Sequence, residues 1–154
     1  MRLRNHHILL VTLFALTPSL FAETLSQPSF RIELADGWVP SIRKTHDGLG
    51  DRISVHHPRR TGVLKFQSYR APNSVDPKTL REMTNVDSSE QLDWESWGDF
   101  SGYQYSYHEE GVFYRQWWLA DKKTIVFFVH SAKGEPKETE KREIDKIVLS
   151  LTAN

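Results

Sequence analysis

The sequence predicts an α+β domain: an antiparallel β-sheet of about six strands flanked by helices, with a C-terminal amphipathic helix packed on the sheet. Three observations lead there. Segments of period-two alternation recur from Ser29 onward, and the connections between the last of them are too short for crossovers. Asp76-Pro77 has the composition of a helix start. Near the end, Ile144, Ile147, Val148 and Leu151 recur at i, i+3, i+4 and i+7 on an otherwise charged segment, which makes one apolar helical stripe.

The chain begins MRLRNHHILLVTLFALTPSLFAETLS, with Arg2 and Arg4 ahead of an apolar run and small or turn-forming residues through to Ala22. That is the layout of a secretory signal peptide. The run falls short of the roughly 20 residues that a bilayer-spanning helix needs, and Pro18 interrupts it. The expectation is a leader over 1–22, cut after Ala22, no stable membrane anchor, and a single periplasmic domain over 23–154. Without Arg2 and Arg4, the 20 Lys and Arg against 20 Asp and Glu become a net charge of −2, which gives no general attraction to nucleic acid or anionic membranes. Cysteine is absent, so neither a lipid-bearing N-terminal Cys nor a disulfide is available. Stability must come from packing, and the aromatic residues are its main suppliers.

Phe30, Ile32 and Leu34 alternate with Arg31 and Glu33 in a first strand that Gly37 breaks before Trp38. Ile53 and Val55 mark a second, short strand. Leu64 and Phe66 alternate with Lys65 and Gln67 in a third, reached through the turn-rich 58–62. A helix is expected over 77–84, with Leu80 and Met83 on its buried side. Strands follow at about 91–97, 101–108, 111–119 and 123–131, and the last helix starts near Pro136.

The aromatic stretch GVFYRQWWLADKKTIVFFVHSA, 111–132, reads as two strands with two apolar faces each. Phe113, Trp117 and Leu119 oppose Tyr114 and Trp118, while Ile125, Phe127 and Val129 oppose Val126 and Phe128. Such strands belong in the middle of a sheet covered on both sides. Tyr103, Tyr105 and Tyr107 share one face of their strand, as the rim of the core or the floor of a groove.

Phe30, Ile32, Leu34, Gly37 and Trp38, a helix after a few strands, a G-Y-x-Y run, and a terminal I-x-x-I-V-x-S-L (Ile144, Ile147, Val148, Ser150, Leu151) together resemble the PsbP-like superfamily of small α/β/α sandwich domains, which includes periplasmic DcrB-type bacterial proteins. The resemblance covers roughly 28–152 and implies a scaffolding, assembly or binding module rather than an enzyme. It brings no catalytic residues with it.

The candidate partner- or ligand-binding residues are Trp94, Trp97, Tyr103, Tyr105, Tyr107 and Trp118, because Tyr and Trp offer large contact area at low entropic cost. The expected partner is a protein of the cell envelope, and nucleic acid is not expected. The alternative is a small ligand, a carbohydrate or cell-wall fragment, bound or weakly hydrolysed between Trp94, Trp97 and Asp93, Glu95 or Asp99. No cofactor, metal site or catalytic residue is expected. His56 and His57 are neighbours in sequence and point to opposite faces of a strand, and Asp47-Gly48-Leu49-Gly50-Asp51 misses calcium-hand spacing. Ser131 beside His130 is no triad, and no G-x-S-x-G elbow occurs. The charged run 133–146 mixes both signs and reads as the solvated side of the last helix.

Overall fold

A computed structural model describes residues 21–46 and 50–154. Residues 1–20 of the leader expected over 1–22, and residues 47–49 of the acidic loop, lie outside the described residues. The fold is α+β. Among the described residues, ten strands form two antiparallel sheets, one of seven strands in the order β3-β4-β5-β9-β8-β7-β6 and one of three in the order β1-β2-β10. In chain order these are β1 Phe21–Gln27, β2 Phe30–Ala35, β3 Val39–Arg43, β4 Arg52–His56, β5 Gly62–Arg70, helix α1 Pro77–Met83, β6 Glu95–Trp97, β7 Phe100–Glu109, β8 Val112–Asp121, β9 Thr124–Lys133, helix α2 Glu138–Leu149 and β10 Thr152–Ala153.

Short turns dictate the antiparallel order. Glu110 and Gly111 both take positive φ, 49° and 77°, as a two-residue turn between β7 and β8 requires. Asp76 caps α1 by accepting a hydrogen bond from Thr79 N at 2.8 Å, with Pro77 at the first helical position. Gly98, at φ 63°, has no room for a side chain: a Cβ there would lie 1.9 Å from the Leu151 carbonyl oxygen.

The main core lies on one side of the seven-stranded sheet. Ile53, Val55, Leu64, Phe66, Trp117, Leu119, Val126 and Phe128 point there and are covered by Ile144, Ile147 and Val148 of α2 together with Phe30, Ile32 and Leu34 of the small sheet. Three of the four residues of the expected stripe lie on α2, while Leu151, the fourth, follows the end of the helix and is still buried in the core. The rim of the layer is polar but paired. Arg115 sits 4.6 Å over the Trp117 ring and 2.7 Å from Asp145. Glu143 accepts from Trp38 Nε1 at 3.0 Å and from both Arg60 Nε and Nη2, at 2.8 and 2.5 Å. The Arg60 guanidinium holds the Glu143 carboxyl below its usual range.

Several expectations change. The strand expected over 91–97 is reduced to Glu95–Trp97, because it is an edge strand paired only with β7, and Leu92 instead packs with the α1 cluster. Met83 is 38% exposed while Leu80 is fully buried, since the short α1 buries one residue. Strands β1, β3 and β10 carry no alternation strong enough to read. The charged segment 133–146 is not wholly solvated: Glu140 is 2% exposed, where it meets His130 Nε2 at 2.9 Å and accepts from Thr61 N at 3.1 Å. Burial lowers the His130 pKa, and the bond to Glu140 opposes this without overcoming it. Gly62 makes the pairing feasible, because a Cβ there would lie 2.3 Å from His130 Nε2 and 2.4 Å from Glu140 Oε1. Finally, the central strands are covered fully on one side only. On the other, α1 covers one end and leaves the rest open.

Candidate binding face

The second face of the sheet is built by alternation from the same strands. Cross-strand register sets Tyr103 opposite Trp118, Tyr105 opposite Gln116 and Tyr107 opposite Tyr114. It continues with Trp118 opposite Phe127, Gln116 opposite Val129 and Tyr114 opposite Ser131, then with Lys65 opposite Val129 and Gln67 opposite Phe127. Helix α1 seals one end through a small buried cluster of Leu80, Tyr103, Ala120 and Ile125. Beyond it, two clefts of about 620 and 590 Å³ lie along the face.

The smaller cleft is floored by Tyr105, Tyr107, Gln116 and Trp118 and walled by Leu92 and Val86. Its rings form a nearly continuous surface. Tyr105 stacks on Tyr107 at 6.2 Å, Tyr107 on Tyr114 at 5.0 Å, and Trp118 lies 4.2 Å from Phe127. Tyr105 Oη is 2.8 Å from the Thr84 carbonyl oxygen and 2.7 Å from Gln116 Oε1, and its single proton serves one of them at a time. Gln116 Nε2 donates to Tyr107 Oη at 3.0 Å. Burial raises the Tyr105 pKa, opposed by the nearby Trp118 N–H, so this phenol stays protonated and polar at neutral pH. The larger cleft is floored by Tyr69, Tyr114, Phe127 and Val129 and rimmed by Arg43, Arg52 and Lys65.

The six residues singled out from sequence do not form one surface. Tyr105, Tyr107 and Trp118 come together, half-buried, on the open face. Tyr103 is 8% exposed beneath α1, with its hydroxyl donating to the Pro77 carbonyl at 3.2 Å. Trp94 is 41% exposed and meets Tyr103 edge-on at 5.2 Å. Trp97 is 7% exposed on the opposite side, in the main core, 6.0 Å from Trp117. Trp94 and Trp97 therefore do not line a common pocket. Asp93 and Glu95 are exposed, and Asp99 Oδ2 accepts from Ala153 N at 3.1 Å.

Tyr114, Gln116 and Phe127 escaped the sequence reading as site residues. The signal that could have found them was register: with a two-residue turn between β7 and β8, each tyrosine of β7 has a fixed partner on β8. Arg43 had no such signal, because VPSIR does not read as a strand, and without β3 its pairing with Arg52 could not be set. The histidines are dispersed. His56 is exposed, whereas His57 is buried against Trp38 at 5.8 Å and accepts from Arg59 N at 3.0 Å. His108 pairs with Glu135 at the surface, and His130 with Glu140 inside. No group of three or more His, Cys, Asp or Glu side chains that could hold a metal ion occurs among the described residues. No helix among them is long and apolar enough to cross a membrane.

No protein-family model matches this chain, and no curated protein does. Among solved structures, a crystal structure from Bacteroides thetaiotaomicron VPI-5482 is similar to 81% of this chain at a TM-score of 0.56 and 14% identity. The chain spans 45% of that neighbour's length. The crystal structure of LpqN, involved in cell envelope biogenesis of Mycobacterium tuberculosis, aligns with 86% of this chain and 90% of its own at a TM-score of 0.45 and 16% identity. At 14% identity the likeness to the Bacteroides structure is one of fold.

Proposed function

We propose that the protein is an exported, non-enzymatic binding or assembly module of the cell envelope, and that its partner surface is the open face of the seven-stranded sheet. One observation carries the reading: Tyr105, Tyr107, Tyr114, Trp118 and Phe127 form a half-exposed aromatic floor on the sheet, next to α1 but not covered by it. Large aromatic surface left accessible in a concave setting is typical of a recognition site. The PsbP-like resemblance implies the same class of role. Export rests on the leader-like 1–22; regular β1 pairing begins at Glu23, the residue that the expected cut would expose, after a register shift between Phe21 and Glu23.

The test is affinity capture of the tagged protein from its native envelope fraction, compared with a Tyr107→Ala/Tyr114→Ser variant and with Trp94→Ala. A near-stoichiometric protein retained by Trp94→Ala and lost with the double variant supports the reading. Equal capture by all three chains removes the face from it. The second reading, a small ligand such as a carbohydrate fragment, draws on the cleft volumes of about 620 and 590 Å³, which fall in the range of ligand pockets. In place of the Trp94–Trp97 pair it would use Tyr114 and Phe127 as the stacking surface.

A further inference from the structure

We infer that the open face takes an acidic, extended segment of a partner protein, laid across the strands with its carboxylates at the β3–β4–β5 end and its apolar side chains over the tyrosine floor. The inference rests on the partner-surface reading above and specifies the chemistry of what binds there.

The charge distribution points this way. Arg43 of β3 and Arg52 of β4 are directly opposed cross-strand partners, a like-charge arrangement that destabilises an antiparallel pair. Lys65 of β5 joins them on the rim of the same cleft. The described lining contains no Asp or Glu, and none of the three cations makes an ion pair among the described residues. Nearby Asp51 is engaged by Lys44 at 2.7 Å. In a chain with slightly more acidic than basic residues after its leader, this is a local excess of positive charge that no acidic side chain among the described residues pairs with. Charged side chains on an edge strand deter sheet-to-sheet aggregation, which accounts for Arg43. It does not account for Arg52 and Lys65, because β4 and β5 are interior strands.

The size and texture of the face favour a peptide. Lys65 on β5 and Tyr105 on β7 are three strand spacings apart, as β9 and β8 lie between them. That is roughly 14 Å at the usual inter-strand distance, the span of about four to five extended residues. A single small anion would reach the cations and leave the tyrosines bare. A membrane surface is disfavoured because the aromatic rings lie half-buried in clefts and do not protrude as an inserting apolar face would. Ser41, Ser54 and Ser131 also line the larger cleft, and their hydroxyls are suited to main-chain or carboxylate groups of a peptide.

The experiment measures fluorescence anisotropy of two short labelled peptides on the purified protein, one alternating glutamate with tyrosine and one alternating glutamine with tyrosine. The expected result is at least about tenfold tighter binding of the glutamate peptide at low salt, an advantage that shrinks as ionic strength rises and is lost in Arg43→Ser/Arg52→Ser. Both arginines are exposed, so that variant should fold, and an unchanged melting curve checks it. Equal affinity for the two peptides overturns the inference. So does an arginine-dependent preference for phosphatidylglycerol vesicles over the glutamate peptide. Capture of a native partner separates the two levels. If capture needs Tyr107 and Tyr114 but ignores Arg43→Ser/Arg52→Ser, the acidic segment is wrong and the open face stands as the partner surface; if capture ignores the tyrosines as well, the acidic segment and the open face both fall.

Discussion

The two faces of the seven-stranded sheet differ far less in sequence than in environment. On the core face, Trp117, Phe128 and Phe66 are covered by α2 and the small sheet, and Trp117 and Phe128 retain no exposed surface. On the other, Trp118 and Phe127 come from the same strands and, with Tyr114 and the neighbouring Tyr107 of β7, are of the same kind, yet they stay half-exposed. The tryptophans at 117 and 118 are consecutive residues with opposite fates. What separates the faces is the covering element. The twelve-residue α2 together with the small sheet carries a broad apolar layer, whereas the seven-residue α1 contributes one buried leucine. Surplus aromatic surface on the thinly covered side is then available for recognition.

Substitution on the core face should have the largest effect. Trp117→Ala removes a fully buried indole and the ring beneath Arg115, and should lower unfolding free energy by about 3–5 kcal/mol in chemical denaturation. A loss below about 1 kcal/mol would mean that the two faces are not packed differently. Glu140→Ala comes next. It leaves His130 and Thr61 N without their buried acceptor and should cost roughly 2–4 kcal/mol.

The same pair confers a pH dependence of known sign. His130 has a folded-state pKa below its unfolded value, so near and below the unfolded value the unfolded chain binds more protons. Its contribution is fully present above the unfolded pKa, about 6.5, and is lost as pH falls through that value toward the folded one. The melting temperature should therefore drop on going from pH 7.5 to pH 5 by more in the wild type than in His130→Phe. Equal drops in the two chains would assign the effect to other groups. The smallest stability effect is expected on the open face, where Tyr107→Ala should change stability by less than about 1 kcal/mol while abolishing partner capture. A large loss of stability instead would make Tyr107 a core residue and erase the contrast.

Much of this contrast could be read in advance, and its decisive part could not. Period-two alternation placed Phe113, Trp117 and Leu119 on one side and Tyr114 and Trp118 on the other, and the short turns set neighbouring strands antiparallel. The same reading treated both sides as covered, because hydrophobicity records what a side chain tolerates and carries no information on what packs over it. Trp94 and Trp97 illustrate the difficulty. Three positions apart and alike in composition, they lie on opposite sides of the sheet, because one precedes the short β6 and the other ends it, pointing into the core.

The sequence by itself determined the α+β class, the antiparallel pairing of the later strands, the capped α1 at Asp76-Pro77 and the apolar stripe of α2. These are local properties, written in turn residues and in periods of 2 and 3.6. Tertiary structure alone decided which aromatics are core and which are accessible, and it brought Arg43, Arg52 and Lys65 from three strands to one cleft. It also buried Glu140, out of a charged run, against His130. These outcomes depend on contacts between residues far apart in the chain, where the length of a covering helix or the room left by a glycine such as Gly62 settles what each side chain meets.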